Sequence, residues 1–205
     1  FLSGSLISRI LPPRHQSDNK SGKARDAVQV FANGGVYTTI ALIHYFYPHP
    51  SLPVLMAITL STATSDTWAS DIGLGIPSAT YNISNFRLIS PGVSGGISIT
   101  GTLGGLAGAL SIALLYYYII NQNLLHTIYI TAAGFTGMIT DSLLGAKLQA
   151  KYYQPQTGHW SDTPNPHYQH QSGFSSITND HINLISQIIL CTVATLPLLI
   201  AKSLE

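Results

Sequence analysis

The sequence predicts an all-α protein, a polytopic bundle of transmembrane helices with about five to six spans in this chain. Only 8% of the 205 residues are charged and 45% are hydrophobic, with a mean hydropathy of +0.25. Soluble domains usually carry about 25% charged residues. Several apolar runs approach the roughly 20 residues that a helix needs to cross a bilayer. The whole chain, residues 1–205, is therefore predicted to be a single integral membrane domain.

Polar or proline-bearing segments separate the predicted spans. A helix does not continue through the cluster Pro48, Pro50 and Pro53, because proline lacks the backbone N–H and clashes with the preceding turn. The short apolar segment Phe1–Ile10 is interpreted as the end of a further span, so N-terminal spans are expected to be missing from this chain. The complete predicted spans are Asp26–Tyr47, Leu52–Gly73, Val93–Ile120, Leu124–Gln149 and Asp180–Ile200.

Charge indicates which side of the membrane the predicted loops occupy. The loops at residues 12–25, 74–92 and 151–178 lie on one side if successive spans alternate in direction. With the adjoining span ends, they contain every Lys and Arg residue of the chain except Lys202. Positive residues mark the cytoplasmic side, so these loops, and a site among them, are predicted to be cytoplasmic.

Acidic residues converge on the same end of the predicted spans. An ionisable residue within a membrane span is costly and is usually functional. The sequence therefore predicts a polar site at the cytoplasmic interface. The acids at this level are Asp26, Asp66, Asp71, Asp141 and Asp180.

The stretch Thr64–Gly73 (TSDTWASDIG) contains two of these acids. Asp66 and Asp71 are separated by about 140° around an ideal helix, so they are not expected to share a face. The functional interpretation is that they ligate Mg²⁺, which takes one or two carboxylates together with substrate phosphates. The structural interpretation is that Asp71 ends the helix near water while Asp66 forms hydrogen bonds inside the bundle.

Glycines crowd the start of the third complete predicted span. The segment Pro91–Gly96 (PGVSGG) is predicted to open a helix, where free backbone N–H groups bind anions and glycine lets a ligand approach. Ser94, Gly95 and Gly96 are therefore candidates for binding phosphate. The GxxxG spacings that predict close contact between helices are Gly101/Gly105 and Gly104/Gly108.

Asn33 and Gly34 interrupt the first complete predicted span. A buried Asn needs hydrogen-bond partners, and glycine lets another backbone approach, so structural and ligand-binding roles are both open. Lys23 and Arg25 precede the same span. Basic residues in such positions often serve topology alone, but beside several acids they are also candidates to hold phosphate groups.

Composition narrows the range of functions further. The net charge of +1 gives no basic field for nucleic acid. The single Cys191 excludes a disulfide within the chain and a cysteine metal site. The histidines are scattered and are interpreted as surface or interface residues, so a zinc site is not expected.

Five stretches of the sequence together resemble one family of integral membrane proteins. The family includes the chloroplast phytyl-phosphate kinase of vitamin E synthesis and the animal transmembrane protein 19. The resemblance covers nearly the whole chain from Gly22 to about Ser186. The stretches are GKARDAVQVFANGG (Gly22–Gly35), SDTWASDIG (Ser65–Gly73), PGVSGGISITGT (Pro91–Thr102), DSLLGAKLQ (Asp141–Gln149) and TNDHIN (Thr178–Asn183).

The resemblance implies phosphoryl transfer from a nucleoside triphosphate, CTP or ATP, to an isoprenyl (phytyl-like) monophosphate, with Mg²⁺ as cofactor. The implied partners are these two substrates and the lipid bilayer. The sequence departs from the family's usual pattern at Asp71, where Glu is common, and at Thr178, where Asn is common. The implied catalytic residues are Asp66, Arg25 and Lys23; the implied substrate-binding residues are Asn33, Gly34, Ser94, Gly95, Gly96, Asn179 and Asn183; and the implied metal ligands are Asp66, Asp71, Asp141 and Asp180.

A membrane transporter or ion pathway that uses the same acids is the alternative. Broken helices and intramembrane acids occur in transporters too. The predicted acids lie near one interface rather than the midplane, and the sequence has no evident internal repeat, which favours phosphoryl transfer. A scaffold without activity is a third interpretation, and the many converging polar residues disfavour it. Magnesium-dependent nucleotide binding would distinguish the enzyme from the transporter.

Overall fold

A computed structural model describes residues 2–12 and 27–203 of the chain. The mostly helical architecture predicted from the sequence is confirmed, and the five longer helices correspond to the five complete predicted spans. The helices are α1 (Leu2–Ile10), α2 (Ala27–Phe46), α3 (Ser51–Gly75), α4 (Ile99–Ile119), α5 (Leu124–Leu148) and α6 (Asn179–Ser203).

The helix α3 is central, because it contacts each of the other five helices in the described part of the chain. The buried apolar cluster lies at one end of the bundle and includes Val54 and Ile58 near the start of α3, Tyr116 near the end of α4, and Ile130 near the start of α5. The acids near the end of α3 and the end of α5 are therefore at the opposite end. The bundle thus has an apolar end and a polar end.

Small residues bring α3 and α4 into close contact. Ser65 on α3 is fully buried, and its hydroxyl donates to the carbonyl oxygen of Gly105 at 2.8 Å. A Cβ atom added at Gly108 would lie 2.9 Å from the carbonyl oxygen of Thr64. The predicted role of the GxxxG spacings in helix contact is confirmed, with α3 as the partner helix.

The helix α4 begins six residues later than the predicted span at Val93, which corrects that boundary. Ser98 is the N-cap, and its Oγ accepts a hydrogen bond from the Gly101 N–H at 3.1 Å. The preceding glycines Gly92 and Gly95 have φ of 87° and 81°, which lie outside the helical region. The segment Pro91–Gly96 is therefore a turn before a strand rather than the start of a helix.

Strand β2 (Gly96–Ser98) follows this turn and pairs antiparallel with β1 (Thr80–Asn82). The register joins Tyr81 to Ile97. Three-residue strands are too short to show an alternating pattern in the sequence. The predicted loop at residues 74–92 thus contains one strand, and α3 continues to Gly75 before it.

The predicted loop at residues 151–178 contains a three-stranded antiparallel sheet. Strand β3 (Lys151–Gln154) lies between β4 (His159–Ser161) and β5 (Gln169–Ser172). The sequence analysis missed this sheet because its strands have only three or four residues and β5 is polar and exposed throughout. The segment after α5 is therefore a folded unit.

Two helices in the described ranges are long and apolar enough to cross a membrane, judged by length and composition: α4 and the Asn179–Leu198 part of α6. Large exposed apolar side chains such as Leu103, Leu110 and Val193 cover them. The helices α2, α3 and α5 have 20, 25 and 25 residues, which is sufficient length, but they contain more polar residues. The count of five to six spans stays a prediction.

The close α3–α4 contact predicts that Gly108→Ala lowers the free energy of unfolding by about 1–3 kcal/mol. The new methyl group would meet the Thr64 carbonyl oxygen at 2.9 Å and Ser65 Cα at 3.2 Å, both backbone atoms. Thermal unfolding in detergent measures the effect. Gly35→Ala on α2 is the control, because outside the adjacent backbone of α2 no described atom lies within 4 Å of a Cβ there and alanine favours a helix. Equal stability of the two variants would contradict the packing.

Candidate functional site

A cavity of about 110 Å³ lies at the polar end of the bundle, where α3, α5 and α6 meet the turn that precedes β2. It has room for several water-sized groups, since one water needs on the order of 10–15 Å³. The cavity brings together predicted site residues from four separate stretches of the sequence. The polar side chains on its wall include Asp66, Ser70, Ser94, Thr102, Asp141, Ser142 and Asn179.

Of the two acids in the Thr64–Gly73 stretch, Asp66 lines the cavity and Asp71 does not. Both residues belong to the continuous helix α3. Their separation of about 140° around the helix turns Asp71 to another face, so the expectation that they do not share a face is confirmed. Ser70, one turn after Asp66, lines the same cavity.

Asp141 contributes the second carboxylate from α5 and is only 8% exposed. A buried carboxylate is costly unless hydrogen bonds support it. The Ser186 hydroxyl provides such a bond, donating to Asp141 Oδ2 at 3.0 Å. Sequence reasoning did not identify Ser186, although it follows Asn179 and Asn183 at helical spacing, and that polar stripe was the available signal.

Asn33 and Asn183 contact each other between α2 and α6, and neither lines the cavity. Asn183 Nδ2 donates to Asn33 Oδ1 at 3.4 Å, and Gln187 Nε2 donates to the Asn33 carbonyl oxygen at 2.8 Å. Outside the adjacent backbone of α2, no described atom lies within 4 Å of a Cβ position at Gly34, so a close approach by another backbone is not observed there. These bonds link α2 to α6, and the predicted ligand-binding roles stay predictions.

The Pro91–Gly96 turn forms one wall of the cavity, with Ser94, Gly95 and Gly96 all lining it. Three of its backbone N–H groups form hydrogen bonds within the protein, and the Val93 N–H donates to the Ser90 carbonyl oxygen at 3.4 Å. The Gly96 N–H donates to the Val93 carbonyl oxygen at 3.0 Å, and the Ser94 N–H donates to the carboxylate of Asp162 at 3.1 and 3.2 Å. Glycine is required at residue 95, because its φ is 81° and a Cβ there would meet the backbone of Ala146.

Hydrogen bonds of Asp162 and Gln149 hold the Pro91–Gly96 turn against the end of α5. The buried Gln149 accepts from the Ser94 hydroxyl at 2.8 Å and donates to Asp162 Oδ2 at 3.1 Å. The Asp162 carboxylate thus accepts the hydrogen bond from the Ser94 backbone N–H, a group predicted from the sequence to bind substrate phosphate. Asp162 was not identified from the sequence, because it follows a strand of only three residues, which is too short to show a periodic pattern.

Lys151 lies beside this network and is only 5% exposed. Its ammonium donates to the carbonyl oxygens of Gly145 and Ala146 at 2.9 and 2.7 Å, near the C-terminal end of α5. Burial lowers the pKa of Lys151, and the nearby Asp162 carboxylate partly offsets that shift. The sequence predicts only that Lys151 marks the cytoplasmic side of the membrane. In the structure, its ammonium also binds carbonyl oxygens of the last turn of α5.

The cavity offers a donor set that fits Mg²⁺ in part. Asp66 and Asp141 supply two carboxylates, and Ser70 and Ser142 supply hydroxyl oxygens. Mg²⁺ uses one or two carboxylates and completes its shell with water and substrate phosphates. Among the residues that the structure describes, no group of three or more His, Cys, Asp or Glu side chains is placed to hold a metal ion. A magnesium site here would therefore depend on substrate oxygens.

The remaining predicted site residues lie elsewhere. Asp180 does not line the cavity and sits in the first turn of α6, where a negative charge stabilises the positive end of the helix dipole. The metal roles of Asp71 and Asp180 stay predictions. Lys23, Arg25 and Asp26 lie outside the described residues.

A family model described as integral membrane protein DUF92 matches residues 1–191. The chain belongs to the DUF92 family. This match confirms the family resemblance found in the sequence motifs and the integral membrane location. No solved structure matches the chain.

Relatives of this DUF92 protein occur in archaea, cyanobacteria and plants. It is 27% identical over 189 residues to the uncharacterized membrane protein MJ0933 of Methanocaldococcus jannaschii, covering 92% of this chain and 69% of the relative. It is 30% identical over 159 residues to the uncharacterized membrane protein sll0875 of Synechocystis, covering 74% and 61%. It is 22% identical over 214 residues to Protein PGR of Arabidopsis thaliana, covering 91% and 74%. The chain therefore corresponds to only part of each of these proteins.

The Asp162 contact predicts that Asp162→Ala speeds hydrogen exchange in the turn of this DUF92 protein. The Ser94 N–H would lose its carboxylate acceptor, and the buried Gln149 would lose one partner. Exchange of the peptide covering residues 91–97 should rise about tenfold, as expected when a bond of about 1.4 kcal/mol is lost. Gln169→Ala, on the exposed strand β5, is the control. Unchanged exchange in Asp162→Ala would show that the contact does not hold the turn.

Proposed function

We propose that this DUF92 protein transfers a phosphoryl group from a nucleoside triphosphate to an isoprenyl monophosphate in a magnesium-dependent reaction. The observation that carries the proposal is the cavity in which Asp66 and Asp141 share a wall with the Pro91–Gly96 turn. These residues come from three of the stretches that resemble the phytyl-phosphate kinase. Their meeting in one cavity supports a common site.

The membrane arrangement follows from the same proposal. The five longer helices span the bilayer, and the polar end of the bundle lies at the cytoplasmic interface, because the described Arg9, Arg87, Lys147 and Lys151 lie in segments at that end. An isoprenyl tail could then remain among apolar helices while its phosphate reaches the cavity. The exposed leucines of α4 and Met138 on the cavity wall are consistent with such an approach.

The proposed reaction needs positioning and charge compensation more than covalent chemistry from the protein. An oxygen of the acceptor monophosphate attacks the γ-phosphorus, and a new P–O bond forms. The bond from the γ-phosphorus to the β–γ bridging oxygen breaks, and the nucleoside diphosphate leaves with the electron pair. The acceptor is already an anion, so no general base is assigned.

Different residues of the chain would bind the metal ion and the phosphate groups. Asp66 and Asp141 would hold Mg²⁺, which supplies neutralisation of phosphate charge when it is bound. Ser142 and Asn179, also on the cavity wall, can form hydrogen bonds to phosphate oxygens. Lys23 and Arg25 remain candidates to hold phosphates, with Arg25 preferred because a guanidinium binds two oxygens at once.

The alternative of an ion pathway receives less support. Polar contacts extend from Asp141 through Ser186 and Gln187, about two turns into α6. Beyond them the described interior contains buried apolar residues such as Ile58 and Ile130 and buried hydroxyls such as that of Ser61, which donates to backbone carbonyl oxygens. No charged side chain of the described residues is buried there. Ion pathways through membranes usually contain ionisable residues, so the arrangement favours a site at one interface.

The proposal predicts that Asp66→Asn abolishes magnesium-dependent transfer while the protein still folds. Asn keeps the size of the side chain but loses the charge that a hard cation needs, so the rate should fall at least about a hundredfold. The measurement is the transfer rate of purified protein against Mg²⁺ concentration, with thermal unfolding as the folding check. Asp71→Glu is the matched control on the same helix and should stay active. Near-normal transfer in Asp66→Asn would remove Asp66 from the site.

A further inference from the structure

A second cavity, of about 650 Å³, adjoins the first at the Pro91–Gly96 turn. Val93 of this turn lines both cavities, so the two cavities are neighbours there. Pockets that bind small molecules usually measure roughly 300–1,000 Å³, whereas the first cavity is much smaller. The walls come from the segment between β1 and β2, the end of α5, and the sheet after α5. Its polar and aromatic lining includes Asn82, Ser84, Asn85, Lys151, Trp160 and Ser172.

The buried ammonium of Lys151 gives this second cavity a positive group. An ammonium has three N–H donors, and the carbonyl oxygens of Gly145 and Ala146 take two of them. One donor is thus left for a ligand, while the nearby Asp162 carboxylate offsets part of the positive charge. Asp162, the nearby acid, is held by the Ser94 N–H and by Gln149. An anionic group is the ligand that this arrangement favours.

Trp160 supplies an aromatic surface in the same cavity. Its ring packs on that of Tyr153 with centroids 5.0 Å apart, and the two residues are paired across β3 and β4. Such support holds the indole in place, and a held aromatic ring can stack with any nucleobase. Asn82 and Asn85 use their side-chain oxygens within the local turn, accepting from Ser84 and Arg87. Their amide N–H groups are therefore suited to donate to a ligand.

We infer that the second cavity binds the nucleoside triphosphate, with its base near Trp160 and its phosphates toward Lys151 and the shared turn. The inference rests on the proposed function, and it assigns the smaller cavity to the acceptor phosphate. A lipid phosphate reaches a site between helices, and Asp66, Asp141 and Asn179 of the first cavity lie on helices. A water-soluble nucleotide reaches the strands and loops that build the second cavity.

Tryptophan fluorescence tests this assignment, because Trp68 and Trp160 are the two tryptophans of the chain. In a Trp68→Phe background, MgATP and MgCTP are titrated onto purified protein. Saturable quenching of Trp160 by at least one of them is expected. Ser172→Phe fills the cavity from β5 and should raise the dissociation constant at least about tenfold. Gln171→Phe, on the same strand but not on the cavity wall, is the matched control and should bind like the background protein.

Ser84→Phe, which fills the cavity from the opposite wall, serves if Ser172→Phe does not fold. Phosphoryl transfer to isoprenyl monophosphate is measured in parallel. A wrong assignment of the nucleotide cavity can then be distinguished from a wrong proposed function. If transfer occurs and both filled variants bind nucleotide normally, the second cavity is not the nucleotide site and the proposed function stands. If Trp160 reports binding that the filled variants weaken but no transfer occurs, the cavity assignment stands and the proposed function fails. If no nucleotide binds, both fail.

Discussion

The close contact of α3 with α4 is the constraint on which the rest of the structure depends. Buried serine hydroxyls of α3 bind carbonyl oxygens of α4, and glycines of α4 leave no room for side chains at the contact. The contact continues to the first cavity, where Ala69 and Gly101 both line the wall. It therefore fixes the helix that carries Asp66 against the strand and turn before α4. Without that contact, the carboxylate and the glycine turn would not share a cavity.

The sequence predicted the features that depend on local pattern and on bilayer physics. Apolar runs and proline clusters located the five longer helices, and the alternation of spans placed Asp66 and Asp141 at one level. Helical periodicity separated Asp66 from Asp71, and the structure agrees. The mostly helical chain and the family were predicted correctly. The start of α4 was wrong by six residues, because the positive φ of Gly92 and Gly95 cannot be distinguished by composition from a glycine-rich helix start.

The contacts that complete the candidate site could not be predicted, because they join residues far apart in sequence. Asp162 reaches Ser94 across 68 residues, and Ser186 reaches Asp141 across 45. The sheet at residues 151–172 left no periodic signal, yet it carries Trp160 and Lys151 to the second cavity. Polar segments between spans are easily dismissed as loops. In this protein the segment at residues 151–178 holds the Pro91–Gly96 turn through Asp162 and forms part of the wall of the larger cavity.

The most direct test of the account is phosphoryl transfer by the wild-type protein in lipid vesicles. The vesicles would contain isoprenyl monophosphates of several chain lengths, and γ-labelled ATP or CTP would be added with and without Mg²⁺. The account predicts a labelled isoprenyl diphosphate that forms only with Mg²⁺, together with release of the nucleoside diphosphate. Ion flux across the vesicles without any labelled diphosphate, whatever the acceptor, would contradict the enzyme and favour a transporter.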